Sequence, residues 1–170
     1  MLTLAYRSER ARPLSANELA ELCLLSARKN QMLGVTGFLV HFDGIFLQIL
    51  EGPADAVDTL FATIAVDQRH RHVEILLRED CEGRRNFAFW AMNLGPLDDP
   101  AFRARVLPGD MSGEAFAARS RDPDTTLDVL MRAYTEACIL SHVDPAAHDL
   151  TSGTIPAWIL PVHMGQHPRA

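Results

Sequence analysis

The sequence predicts an α+β fold of the ferredoxin-like kind, a β-α-β-β-α-β-β sandwich with a C-terminal helical extension. Three observations predict it. Short apolar runs of strand length alternate with two helical periodicities in residues 1–95, in the order of a split βαβ unit. A two-residue hairpin signal, Asp43-Gly44, joins the two middle strands. Within IFLQIL, Ile45, Leu47 and Ile49 alternate with Phe46, Gln48 and Leu50, so both faces of that strand are apolar, as in a central strand covered on both sides.

Residues 2–6 (LTLAY) read as the first strand. Pro13, Leu14 and Ser15 open a helix, with Ser15 and Glu18 forming an S-x-x-E capping box and Leu14 placed to staple against Leu19. Leu19, Leu22, Cys23 and Ser26 keep helical spacing, and Asn30 extends the stripe by a turn. Gly34 and Gly37 break the helix and start the strand VTGFLVHF. After the hairpin and IFLQILE, Gly52-Pro53 ends the strand. Residues 54–66 form a second helix with Val57, Leu60, Phe61 and Ile64 on one face. HVEILLRED (72–80) is the fourth strand and NFAFWAMNL (86–94) the fifth, with Gly95-Pro96 closing the unit. Right-handed crossovers put both helices on one side of the sheet. The other side needs a cover, and the tail helix or a partner subunit is the available material. In the tail, residues 113–121 read as a short helix, and Asp122-Pro123 begins a longer one with Leu127, Leu130, Met131, Tyr134 and Cys138 as its stripe. Beyond it, IPAWILPV has strand character. The organisation is therefore residues 1–96 as one domain and 97–170 as an extension.

Composition narrows the function. The 170 residues are 48% hydrophobic and 22% charged, an ordinary globular balance. A net charge of −6 argues against nucleic acid or an anionic membrane as the main partner. Three widely spaced cysteines suggest neither a disulfide framework nor a zinc site. No run approaches the ~18 apolar residues of a membrane span, and the N-terminus lacks a signal-peptide core, so a cytoplasmic protein is expected.

Several polar residues do not fit a plain core. Gln48 interrupts the most hydrophobic segment, Asn30 sits on the first helix's apolar stripe, and Tyr6 shares a face with Leu2 and Leu4. Each needs hydrogen-bond partners, since an unpaired buried polar group costs about 1–3 kcal/mol. They are either satisfied core polars or, because three converge beneath one helix, contacts for a polar ligand between the helices. For Trp90 and Met92, placed on one face of the fifth strand, spacing alone favours core packing. DQRHRH (67–72) offers His70-x-His72, but no further ligand set completes a metal site, and Arg69 or His70 suits an anion contact. No nucleophile elbow or phosphate loop is present, and nothing reads as a catalyst.

The strings Leu4-x-Tyr6-x-Ser8, Ser26-x-x-x-Asn30, Gly34-Val35-Thr36-Gly37, Gly44-x-Phe46-x-Gln48-x-Leu50-Glu51-Gly52, Asp67-x-Arg69-His70 and Arg85-x-Phe87-x-x-Trp90-x-Met92 together closely resemble the BLUF domain, a blue-light sensor using flavin. The resemblance covers residues 1–95 and fits the short BLUF proteins, a sensor with a helical extension. It implies FAD held noncovalently between the two helices, with FMN or riboflavin also accepted. Tyr6 and Gln48 match the light-switching pair, Asn30 the residue on the ring's polar edge, Trp90 and Met92 the pair that shifts in signalling, and Arg69 and His70 lie near the flavin. Lys29 departs from the Asn or His of many relatives. Light then drives Tyr6 to give up an electron and a proton, and the Gln48 amide returns rotated or tautomerised; reversing an amide exchanges donor for acceptor with little heavy-atom motion. The implied output is altered contact with a downstream signalling protein through the second sheet face and the tail, in a homo-oligomer without catalytic activity. The rivals are a small flavin-dependent reductase, an acyl-phosphate-type hydrolase, and a light-independent ligand-binding module on the same fold.

Overall fold

A computed structural model of the chain describes residues 1–80, 85–88, 90–109 and 111–142. Strands β1 (Leu2–Arg10), β2 (Thr36–Phe42), β3 (Ile45–Gly52), β4 (His70–Asp80) and β5 (Asn93–Pro96) form one sheet in the order β4-β1-β3-β2-β5. Helices α1 (Ala16–Met32) and α2 (Ala54–Ala65) are the two crossovers. The capping box forms as expected, with Ser15 Oγ accepting from the Glu18 N–H and the Glu18 carboxylate accepting from the Ser15 N–H. Arg12 pairs with Glu18 on the same turn. At the hairpin, Asp43 and Gly44 both take positive φ, 46° and 81°, which is the demand that Asp-Gly meets.

The sheet has two cores. On the inner face Leu2, Leu4, Tyr6, Phe46 and Leu50 pack against Leu19 and Cys23 of α1 and Val57 and Leu60 of α2. On the outer face Ile45, Leu47, Ile49, Phe38 and Val40 pack under three tail helices: α3 (Pro100–Val106), α4 (Gly113–Arg119) and α5 (Pro123–Leu140). The apolar alternation of β3 thus has a cover on each side, and the tail supplies the outer one.

Several features depart from the sequence reading, beginning with β1, which runs on past residue 6 to Arg10. The fifth strand is Asn93–Pro96, paired in parallel with β2, and not residues 86–94. Upstream, the Asn86 and Phe87 N–H groups are taken by the Glu51 carboxylate at 3.1 and 2.8 Å, so they are lost to any ladder. Without strand alternation there, Trp90 enters the outer core while Met92 enters the inner one, on opposite sides of the sheet. Gly95 and Pro96 lie inside the strand: an added Cβ at Gly95 would stand 3.0 Å from Val40 Cγ1, and Pro96 is tolerated because β5 is an edge. Helix α3 appears where no helix was expected; Asp99 caps it and Pro100 opens it. Finally, α5 buries Val129, Leu130, Ala133, Tyr134, Ala137 and Cys138, whereas Met131 faces solvent. Two alanines on the buried face carry little hydrophobic signal but let the helix lie close on the sheet. The stretch IPAWILPV lies outside the described residues.

Candidate functional site

A cleft of about 180 Å³ opens between α1 and α2 over the inner face of β1 and β3. Its floor is built by strand register. Tyr6 and Gln48 are direct partners on the antiparallel β1–β3 ladder, so their side chains project together to the helix side. The Tyr6 hydroxyl donates a short hydrogen bond to Gln48 Oε1. Gln48 Nε2 in turn donates to Met92 Sδ at 3.2 Å, a weak acceptor for an amide. Gly37 makes room for this contact, since a Cβ there would meet Met92 Cε at 3.0 Å and the Ile49 carbonyl oxygen at 2.7 Å.

Asn30 supplies the cleft's unsatisfied polar atom. The residue is fully buried, and Nδ2 donates to the Ala91 carbonyl at 2.8 Å while Oδ1 has no partner among the described residues. A buried acceptor with no donor is what a ligand N–H would satisfy. Leu22, Leu39, Leu60 and Ile64 add apolar walls, and Ser26, Lys29 and Thr63 add polar groups nearer the helices' exposed sides.

The far end of the cleft carries charge that is internally balanced. Arg69 binds Asp67 through Nε at 2.9 and 3.1 Å and also through a terminal guanidinium nitrogen. That pairing holds the Asp67 carboxyl at about 2, below the usual carboxylate range. His70 Nδ1 is 2.8 Å from Ser8 Oγ, and burial pulls its imidazole below the ordinary histidine value, so the ring is neutral at pH 7. Burial, with the Asp67 charge adding to it, pushes the Tyr6 phenol far above its normal range, so proton loss by itself is strongly disfavoured. Burial likewise pushes the Cys23 thiol up to about 12 and keeps it protonated.

Six of the seven residues singled out in the sequence line this cleft: Tyr6, Asn30, Gln48, Arg69, His70 and Met92. Trp90 does not line it; its ring lies 6.0 Å from Phe38 and 5.3 Å from Tyr134 in the outer core. Cys23, Leu22, Ser26 and Lys29 also line the cleft, and their helical spacing with Asn30 was the signal that α1 presents two adjacent stripes to it. Among the described residues no group of three or more His, Cys, Asp or Glu is arranged to hold a metal ion.

The family model "Sensors of blue-light using FAD" matches residues 1–93. The chain belongs to the BLUF family. It is a blue-light flavin sensor by that membership, and its sheet with two crossover helices is the BLUF ferredoxin-like fold. The photoactivated adenylate cyclase subunit beta-like protein FB of Euglena gracilis is 38% identical over 170 residues, a match covering 97% of this chain and 17% of that protein. The chain thus spans under a fifth of the length of that curated relative. Among solved structures, Klebsiella pneumoniae BlrP1 with FMN and cyclic diGMP is 40% identical with a TM-score of 0.52, covering 58% of this chain and 26% of that one. The dark-state structure of BlrB, described as a BLUF protein, is 26% identical with a TM-score of 0.55, covering 74% of this chain and 96% of that one. Among the described residues no helix is long and apolar enough to cross a membrane.

Proposed function

We propose that the cleft holds FAD noncovalently with its polar ring edge toward Asn30 and Gln48, and that the Tyr6–Gln48 pair is the light switch. The observation that carries this reading is the convergence of a Tyr–Gln hydrogen bond, fixed by strand register, with the orphaned Asn30 Oδ1 in one interhelical cleft. A planar ring with apolar faces and a polar edge fits walls of Leu22, Leu39, Leu60 and Ile64 and a floor of amides. When bound, the flavin supplies the light absorption and accepts the electron. The chain's own residues do the rest. Tyr6 is positioned to release the hydroxyl proton along its bond to Gln48 Oε1. Gln48, whose Nε2 now rests on a thioether, gains by turning its amide to a better acceptor, and the Met92 contact is then broken. Buried networks respond strongly to such exchanges because no water compensates. Arg69 and His70 hold the cleft's charged end, with Asp67 and Ser8 as their fixed partners.

Residues 1–96 act as the sensor and residues 97–170 as its extension, whose helices α3, α4 and α5 cover the sensor's outer face. Trp90, next in line to Ala91 and Met92 but on the other side of the sheet, makes the tail the natural recipient of a Met92 displacement. The chain itself carries no catalysis; its output is altered contact with a downstream signalling protein, in a cytoplasmic homo-oligomer. The likeness to photoactivated adenylate cyclase subunits and to BlrP1 with FMN supports an effector-linked sensor and a site tolerant of FMN. The test is to release the flavin from protein purified in the dark and identify it by chromatography. FAD in about equimolar amount supports the reading; colourless protein that takes up none of FAD, FMN or riboflavin overturns it.

A further inference from the structure

Tyr6 and Arg7 are consecutive in β1, so they project to opposite faces of the sheet. Tyr6 faces the cleft. Arg7 enters the outer layer and is only 1% exposed, among the most buried large side chains of the chain. Its guanidinium reaches the turn between α4 and α5: Nε donates to Ser120 Oγ at 3.1 Å and a terminal nitrogen to the Ala117 carbonyl at 3.4 Å. Glu9 balances the charge at 3.4 Å. Ser120 is itself at the C-terminal end of α4, and its carbonyl accepts from Thr126 Oγ1 at 2.9 Å in the first turn of α5. Arg121, from the same turn, lies 3.8 Å from Glu9 and 3.5 Å from Glu74 of β4.

A buried guanidinium is a poor way to gain stability, because an apolar side chain of similar volume would fill the layer without desolvating a charge. What it supplies is a rigid fork of donors that fixes the turn in one register on the strand. The surrounding ladder is uneven in a telling way. On the β3 side β1 pairs without interruption from Leu2 to Glu9. On the β4 side the register slips between Ala5 and Tyr6 and again between Arg7 and Glu9. The Tyr6–Arg7 pair is thus bracketed by two irregularities, the second containing His72 at φ 49°, whose Nδ1 is 3.0 Å from Glu9 Oε2. Such bulges give a strand local room to twist and re-aim a side chain.

We propose that Arg7 is the positioning residue that couples the α4–α5 turn to the strand carrying Tyr6, so that the tail's order follows the state of the Tyr6–Gln48 pair. This rests on the light-switch reading above. When Tyr6 changes its bond to Gln48, β1 twists within the bracketed pair, the Arg7 fork leaves its register on Ser120 and Ala117, and the turn loosens. Tail residues 117–126 are the segment that opens.

The test uses the full chain loaded with flavin and compares light and dark in two readouts, the flavin absorption shift and amide hydrogen exchange over residues 113–140. In the unmodified protein, light increases exchange over 117–126. Arg7→Met keeps the flavin, its dark spectrum and its light shift, and abolishes the light-minus-dark exchange difference. Ser120→Ala, which leaves Arg7 in place and removes one acceptor, reduces that difference to less than half. The inference is overturned if Arg7→Met or Ser120→Ala retains the full difference, if Arg7→Met loses the flavin shift while still binding flavin, or if the unmodified protein shows the shift with no exchange difference. Should Arg7→Met not fold, the Ser120→Ala result decides alone. Absence of any flavin shift in the unmodified protein removes the light-switch reading itself, a distinct outcome.

Discussion

Replacing Leu130 by alanine, with Met131→Ala as its neighbour control, tests whether the tail is part of the folded core. Both residues belong to the stripe that helical spacing assigns to α5, yet Leu130 is 0% exposed in the outer core and Met131 is 42% exposed. Deleting a fully buried leucine loses the transfer energy of the removed atoms and leaves a cavity, about 2–5 kcal/mol. In a domain of this size each kcal/mol moves the melting midpoint by about 2–4 °C, so Leu130→Ala lowers it by about 4–20 °C. Met131→Ala removes little buried surface and stays within about 0.5 kcal/mol. The assay is thermal unfolding of flavin-saturated full-length protein, followed in parallel by far-UV circular dichroism and flavin absorption. The two signals fall together for Leu130→Ala, because the tail and the sensor share one core. Equal effects of the two substitutions, or a loss of tail signal that leaves flavin absorption untouched, refute the outer-layer packing.

Flavin binds only the native chain, so FAD at a hundred times its Kd adds about 2.7 kcal/mol and raises the midpoint by several degrees; an unchanged midpoint in a differential scanning experiment counts against the site. Acid destabilises the protein through His70. Burial holds its pKa below the ordinary 6.5, so the unfolded chain binds the proton first, and stability falls as pH drops through about 6.5 toward the folded value. Midpoints measured between pH 7.5 and 5 therefore decline, and His70→Gln flattens that slope; a slope unchanged by His70→Gln contradicts the assignment. Asp67 contributes in a separate window, with stability that is present above the unfolded carboxylate range and lost as pH falls toward about 2.

The inner half of the molecule was legible because its signals are local and chemical. Ser15 and Glu18 cap the same turn that their spacing specifies, Asp43-Gly44 takes the positive φ values its chemistry allows, and Gln48 stands out because an amide in an apolar run needs a partner. The fifth strand failed for a long-range reason. FAFWAM has strand composition, but the N–H groups of its first residue, Phe87, and of Asn86 before it go to Glu51, a residue 35 positions upstream of Asn86, and no window of sequence contains that competition. Asp99-Pro100 did carry a signal for α3, the same Asp-Pro start as in α5, and went unread beside the polar residues around it. The α5 stripe held at Leu130, Tyr134 and Cys138 and erred at Met131, because alanines 133 and 137, which set the helix's close approach, carry too little hydrophobicity to mark a face. In the site, register settled what composition could not: Tyr6 pairs with Gln48, while Trp90 and Met92 divide between the two cores.

The central claim is that the Tyr6–Gln48 pair is the switch, and light-minus-dark absorption of flavin-loaded Tyr6→Phe and Gln48→Leu tests it most directly. Tyr6→Phe removes one hydroxyl, and Gln48→Leu keeps similar bulk while removing the amide. Both variants remain yellow, because the apolar walls and Asn30 persist. Blue light is expected to shift the flavin band of the unmodified protein reversibly to the red; both variants lose that shift, and their flavin fluorescence lives longer because the quenching donor or its hydrogen-bonded path is gone. A reversible shift of unmodified size in either variant, with flavin bound, would place the switch elsewhere.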